Sequence, residues 1–198
     1  METSGRAGLV RRGTRLGYVT VVYNSLEGVI ALVAGAVAGS IALVGFGADS
    51  LIEVTAGVAA LWRLGRDWDP ARREQAERLT LRIVGSCFLA LAVYVTGDSL
   101  NALIGREPPR ESLTGIILAA ASLVVMPLLA RAKRRVALAM RSGALVAEAK
   151  QTALCTWLSA ILLGGLLCNA VLGWWWADPL AALAMVPIIV REGWEGVR

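Results

Sequence analysis

Residues 40–62 read SIALVGFGADSLIEVTAGVAALW, and this stretch decides the class of the fold. A helix needs about 20 mostly apolar residues to cross the hydrocarbon core of a bilayer, and this segment is long enough. Its two acids, Asp49 and Glu53, stand four positions apart and share one helical face. Working outward, five further segments read as spans, at about 18–38, 81–104, 113–130, 144–171 and 178–190, the last being the shortest. Segments 1–17 and 191–198 flank them. The expected fold is an all-α membrane protein, a six-transmembrane-helix bundle.

Composition agrees. Hydrophobic residues make up 57% of the chain and charged residues 18%, below the quarter or so usual in soluble domains. Histidine is absent, which removes serine–histidine hydrolases, histidine-rich zinc enzymes and imidazole proton shuttles. No nucleophile–base pair or zinc-ligand trio appears in the sequence, so an enzyme is not expected. The three cysteines, Cys87, Cys155 and Cys168, fall inside apolar stretches and suggest no disulfide framework.

The net charge of +5 is distributed as membrane topology and not as a nucleic-acid face. Arg6, Arg11, Arg12 and Arg15 precede the first span. Arg63, Arg66, Arg72, Arg73, Arg78 and Arg82 separate the second from the third. Arg131, Lys133, Arg134, Arg135 and Arg141 separate the fourth from the fifth, and Arg191 and Arg198 follow the sixth. The opposite side has Arg106 and Arg110. The positive-inside rule therefore places both termini in the cytoplasm, in a multi-pass protein of a cell membrane, expected to be a bacterial inner membrane. Ala36-Val37-Ala38-Gly39 mimics a signal-peptide cleavage site, but Asn24 and Glu27 interrupt the apolar run, so an uncleaved helix is expected. The mixed charges of residues 67–82 read as a solvated cytoplasmic helix or loop. Ser112 is expected to cap the fourth span after Glu107-Pro108-Pro109, and Asp178-Pro179 to open the sixth behind an aromatic belt of Trp174, Trp175 and Trp176.

Acids within the spans point to function, because a charge near mid-bilayer costs roughly 2.5–3.5 kcal/mol even on lenient scales. Glu27 on span one, Asp49 and Glu53 on span two and Glu148 on span five are the candidates; Asp98 lies near the outer end of span three, within reach of headgroups. Two carboxylates one turn apart repel when both are ionised, and one holds a proton until a cation displaces it. A divalent metal is the natural occupant, against the plainer reading of a protonated pair hydrogen-bonded within the bundle. On span five, Glu148, Gln151 and Cys155 share a face. Read alone, Cys155 is a small buried hydrophobe and Gln151 an interhelical hydrogen-bonding residue.

An internal match raises both. Ser40-x-Ala42-Leu43-Val44 leads through four residues to Asp49, Ser50 and then Glu53; Ser142-x-Ala144-Leu145-Val146 leads through four to Gln151, Thr152 and then Cys155. The match equates Asp49 with Gln151 and Glu53 with Cys155, on spans running in opposite directions, and transporter sites are often built from such paired elements at the midplane. Gly35-x-x-x-Gly39, Gly45, Gly47, Gly164 and Gly165 are the expected close-packing positions between helices.

Gly39-Ser40-Ile41-Ala42-Leu43 leading to Asp49-x-x-x-Glu53, together with Trp176-Ala177-Asp178-Pro179-Leu180-Ala181, resembles the cation diffusion facilitator family of metal/proton antiporters. The resemblance covers nearly the whole chain, with the same span count and both termini inside. It implies four ligands to a divalent transition metal near mid-membrane, carried over by position as Asp49, Glu53, Gln151 and Cys155. Zinc exporters of that family usually have histidine with aspartate on helix five, where this chain has Gln151 and Cys155. The chain ends at Arg198, where the family's cytoplasmic metal-sensing domain would follow, and so resembles the short, transmembrane-only branch.

The resemblance implies export of a divalent cation against protons by alternating access, from a homodimer, with no permanently bound cofactor and no nucleic-acid partner. Thiolate favours zinc, cadmium or cobalt, while carboxylates and an amide also suit manganese or iron(II); zinc is the expected cargo. Without histidine, protons are expected to return on Asp49 or Glu53, with Glu148 as a way station and Glu27 and Asn24 along the access path. Pro127 and the glycines of span two are expected to permit rocking. Lys150, beside Gln151, is expected to snorkel to the cytoplasmic interface, its alternative being to neutralise a membrane acid. The rival function is a non-transporting membrane subunit that has lost metal transport.

Overall fold

The computed structural model describes residues 2–65, 70–106, 109–140 and 143–198, with side chains described at residues 8–59, 61, 78, 79, 81–106, 109–140, 145, 146 and 148–198. Among the basic and capping residues read above, Arg6, Arg63, Arg66, Arg72, Arg73, Glu107, Pro108, Arg141 and Ser142 lie outside the described residues or side chains. Among the described residues, six helices make up the fold: α1 (Glu2–Ala38), α2 (Ile41–Gly65), α3 (Pro70–Gly105), α4 (Leu113–Ala139), α5 (Gly143–Leu172) and α6 (Ala177–Val197). Each apolar span lies within one helix, and most helices continue past it into polar sequence, because backbone hydrogen bonding does not stop where the bilayer does.

Five helices, α1 to α5, are long and apolar enough to cross a membrane. The sixth carries Asp178 at one end and Arg191, Glu192 and Glu195 at the other, and so falls short of that measure. It is nevertheless built into the bundle against α3, α5 and α2. The protein is an all-α, multi-pass membrane bundle. Its hydrophobic pattern is that of a lipid-solvated body: Val22, Leu26, Val29 and Val33 on α1, Val93 on α3, Val124 on α4 and Trp157 on α5 are exposed. Polar residues turn inward instead, with Thr20, Asn24 and Glu27 on α1, Asp49, Ser50 and Glu53 on α2, and Thr152, Cys155 and Ser159 on α5 all buried. Spacings of three and four put each set on one face.

Helix α2 is the hub, touching α1, α3, α5 and α6, while α4 pairs with α5 and closes against α1. The α1–α2 hairpin turns on Gly39, whose φ of +68° is the left-handed region, and the Ser40 N–H reaches back to the Gly35 carbonyl at 3.0 Å. That bond closes a helix C-terminus of the Schellman kind. The two helices then run in backbone contact. A Cβ on Gly47 would stand 2.8 Å from the Leu32 nitrogen and 3.0 Å from the Gly28 carbonyl oxygen. A second seam joins α3 to α6, where a Cβ on Gly85 would meet the Gly193 carbonyl at 2.6 Å. Of the glycines expected to be packing positions, Gly35, Gly45, Gly47 and Gly165 fill that role, whereas Gly39 serves the turn and Gly164 faces open space.

Ser112 caps α4 by accepting from the Gly115 N–H at 3.1 Å, as expected. Asp178 has a role that its own segment does not foretell. It lies inside the first turn of α6, and its carboxylate caps α2 instead: it accepts from the Ser40 hydroxyl, from the Ile41 N–H at 2.8 Å and from the Ala42 N–H at 3.4 Å. Ser40 completes the cap by accepting from the Leu43 N–H at 3.1 Å. An anion at a helix N-terminus meets unpaired N–H groups and the positive end of the helix dipole. The two stretches that carried the family resemblance are therefore joined at the outer end of the bundle.

Candidate metal centre

From its outer end, α2 reaches Asp49 after ~12 Å and Glu53 after ~18 Å; from its inner end, α5 reaches Gln151 after ~12 Å and Cys155 after ~18 Å. The two helices run in opposite directions, so Asp49 comes level with Cys155. The Cys155 thiol donates to Asp49 Oδ2 at 3.1 Å, and both side chains are buried, at 2% and 3% exposure. The internal match equates Asp49 with Gln151, but equivalence in sequence is not contact in space. Antiparallel packing pairs Asp49 with the far member of the other motif.

Glu53, one turn toward the cytoplasm, is buried as well and accepts from the Asn24 amide of α1 through Oε2. Glu27, one turn outward on α1, accepts from the Ser50 hydroxyl at 2.9 Å. Asn24 and Glu27 thus join the polar interior through the two spokes of α2, one at the acid pair and one beside it. Several acceptor atoms remain unmet among the described residues, including Glu53 Oε1, Glu27 Oε1 and Asn24 Oδ1. A buried acceptor without a donor is costly, and a cation or a proton relieves that cost.

Gln151 is half-buried and makes no hydrogen bond to Asp49, Glu53 or Cys155 among the described residues. No three of the described His, Cys, Asp and Glu side chains converge in metal-holding geometry. The buried groups are engaged in pairs, Asp49 with the Cys155 thiol and Glu53 with the Asn24 amide. The arrangement places two carboxylates and a thiol within one helical turn of each other, the thiol on Asp49 and the Asn24 amide on Glu53.

Glu148 behaves differently. It lies near the cytoplasmic end of α5 and forms an ion pair with Lys133 of α4 at 2.8 Å, with Lys133 also donating to the Thr152 hydroxyl at 3.0 Å. Lys133 is 8% exposed although it belongs to the basic run expected in the cytoplasm. The signal is present in the spacing: Met126, Ala130, Lys133 and Ala137 repeat at four, three and four on the buried face of α4. Lys150 is exposed, which leaves it to the interface, and the lysine that neutralises an acid is Lys133.

Residues 18–198 match the family model described as the cation efflux transmembrane domain. The uncharacterized transporter sll1263 of Synechocystis sp. is 25% identical over 156 residues, covering 76% of this chain and 50% of the relative. The chain therefore spans about half the length of the curated relative it matches. A match over nearly all of the sequence, on a helical bundle whose two resemblance stretches meet in one cap, means that this chain belongs to the cation efflux, or cation diffusion facilitator, family.

Proposed function

We propose that the chain is a secondary transporter that exports a divalent transition-metal cation, zinc in preference, in exchange for protons by alternating access. The observation that carries this reading is the buried contact between the Cys155 thiol and the Asp49 carboxylate, with Glu53 one turn away. Two carboxylates and one sulfur form a donor set for a borderline ion, and each must lose its proton to bind metal. Asp49, Glu53 and Cys155 are the ligands in this reading, and Gln151 supplies an amide oxygen once its side chain turns toward them. Protons return on the same carboxylates, so metal and protons compete for one set of atoms and exchange follows. Glu27 and Asn24 border the path on α1. The proposal extends to a homodimer, on family resemblance.

A non-transporting subunit is the second reading, favoured by Gln151 standing apart from the other three. Proteoliposomes carrying a pH gradient separate the two. Zinc, cadmium, cobalt, manganese and iron(II) uptake are followed for wild type and for Cys155→Ser. Proton-driven flux is expected, with zinc and cadmium falling about tenfold relative to manganese in Cys155→Ser, since hydroxyl is the harder ligand. A folded protein that moves none of these metals would leave the subunit reading in possession.

A further inference from the structure

The cytoplasmic end of the polar interior holds a buried ion pair, Lys133 with Glu148. Lys133 and Glu148 meet between α4 and α5, one helical turn inward of Thr152 and two of Cys155. Their side chains are 7% and 15% exposed. A cavity of about 20 Å3 lies against the pair, walled on its other sides by Gly17 of α1, Leu61 of α2, Val136 of α4 and Leu145 of α5. A space of that size admits water. Glu148 stands on the cytoplasmic side of Cys155, on the face of α5 that carries it.

We propose that Lys133 is a tethered counter-cation: its ammonium holds Glu148 and keeps the cytoplasmic mouth shut when no metal is on the path, and an entering divalent ion displaces it from Glu148. This rests on the transport reading above for the identity of the displacing ion, but the closure itself does not. The chemistry suits a lysine. Its ammonium is a compact charge on a long flexible stem that can withdraw along α4 to the cytoplasmic interface, where Arg134 and Arg135 are exposed. Breaking one partner of a buried ion pair leaves the other uncompensated, so the pair holds until another cation reaches Glu148. A doubly charged ion competes for that carboxylate better than a monovalent one, which makes the pair a filter for charge as well as a latch. The Thr152 hydroxyl, which also accepts from Lys133, is released in the same step and lies beside Gln151.

The buried thiol of Cys155 reports the closure without any metal. Cys87→Ser and Cys168→Ser leave Cys155 as the single cysteine, and inside-out vesicles present the cytoplasmic face to membrane-impermeant methanethiosulfonates, one cationic and one anionic. Removing the latch with Lys133→Met or Glu148→Gln is expected to speed labelling of Cys155 by both reagents, by about tenfold or more. Lys133→Arg, which keeps a charged donor pair, is expected to label as slowly as the parent. Rates unchanged in Lys133→Met and Glu148→Gln overturn the closure. Rates raised equally in Lys133→Arg overturn it too, since lost packing would then be the cause. Cationic and anionic reagents moving in opposite directions would show a field effect and no opening, and that result also overturns the closure. Metal flux absent from every variant, with the labelling pattern intact, would count against the transport reading alone.

Discussion

Asp178 and Asp49 are both aspartates, both nearly inaccessible, and both part of the stretches by which the family is recognised, yet the bundle treats them oppositely. Asp178 sits at the outer end, where its carboxylate meets the Ser40 hydroxyl and two N–H groups of α2. Its charge is met by donors that a helix N-terminus would otherwise leave unpaired. Asp49 lies midway along the apolar stretch of α2 against a weakly donating thiol, with a second carboxylate one turn away that keeps an unmet oxygen. A buried acid that the fold satisfies holds helices together. A buried acid that the fold leaves short is available to a proton or a cation. The difference lies in the donors that surround each aspartate and not in the residue type.

Substitution can break this comparison. Asp49→Asn keeps the shape and removes a charge the bundle does not compensate, so proton-driven metal flux should fall at least about a hundredfold while thermal unfolding in detergent moves little or upward. A marked fall in melting temperature would mean that Asp49 is structural after all. Asp178→Ala removes three accepted hydrogen bonds from the start of α2 and should lower unfolding stability by about 2 kcal/mol, with flux per folded molecule largely kept. Equal losses of flux in the two variants would erase the distinction between them. Gly47→Ala is the subtler probe. Its methyl would press on the α1 backbone at Leu32 and cost about 1 kcal/mol or somewhat more by pushing α1 from α2. Because α1 holds Asn24 against Glu53, metal affinity measured by calorimetry should weaken several-fold, and the outer cap should be spared. Unchanged affinity would remove Asn24 from the site.

Much of the fold is legible in the sequence. Apolar length marks spans one to five, and Ser112 is marked as a cap by its place before a run of helix formers. Asp178 reads as a cap of its own helix because Asp-Pro at a helix start has a local explanation, and nothing local says that a different helix end lies within reach. Gly85 and Gly193 escape notice for the same reason: each is unremarkable within its helix, and only the approach of α3 to α6 excludes a side chain there. Lys133 groups with its basic neighbours by proximity in sequence, although its spacing from Met126 and Ala137 assigns it to the buried face.

By itself, then, the sequence determined the bundle, its helices and the inward acids, because apolar length and helical period are properties of single segments in a bilayer. Partnership was decided by the tertiary structure. Asp49 meets Cys155, Glu53 meets Asn24, Lys133 meets Glu148 and Asp178 meets Ser40. Each of these pairs crosses between helices, and which atoms come level depends on helix direction and on the glycine contacts that set how closely the backbones approach.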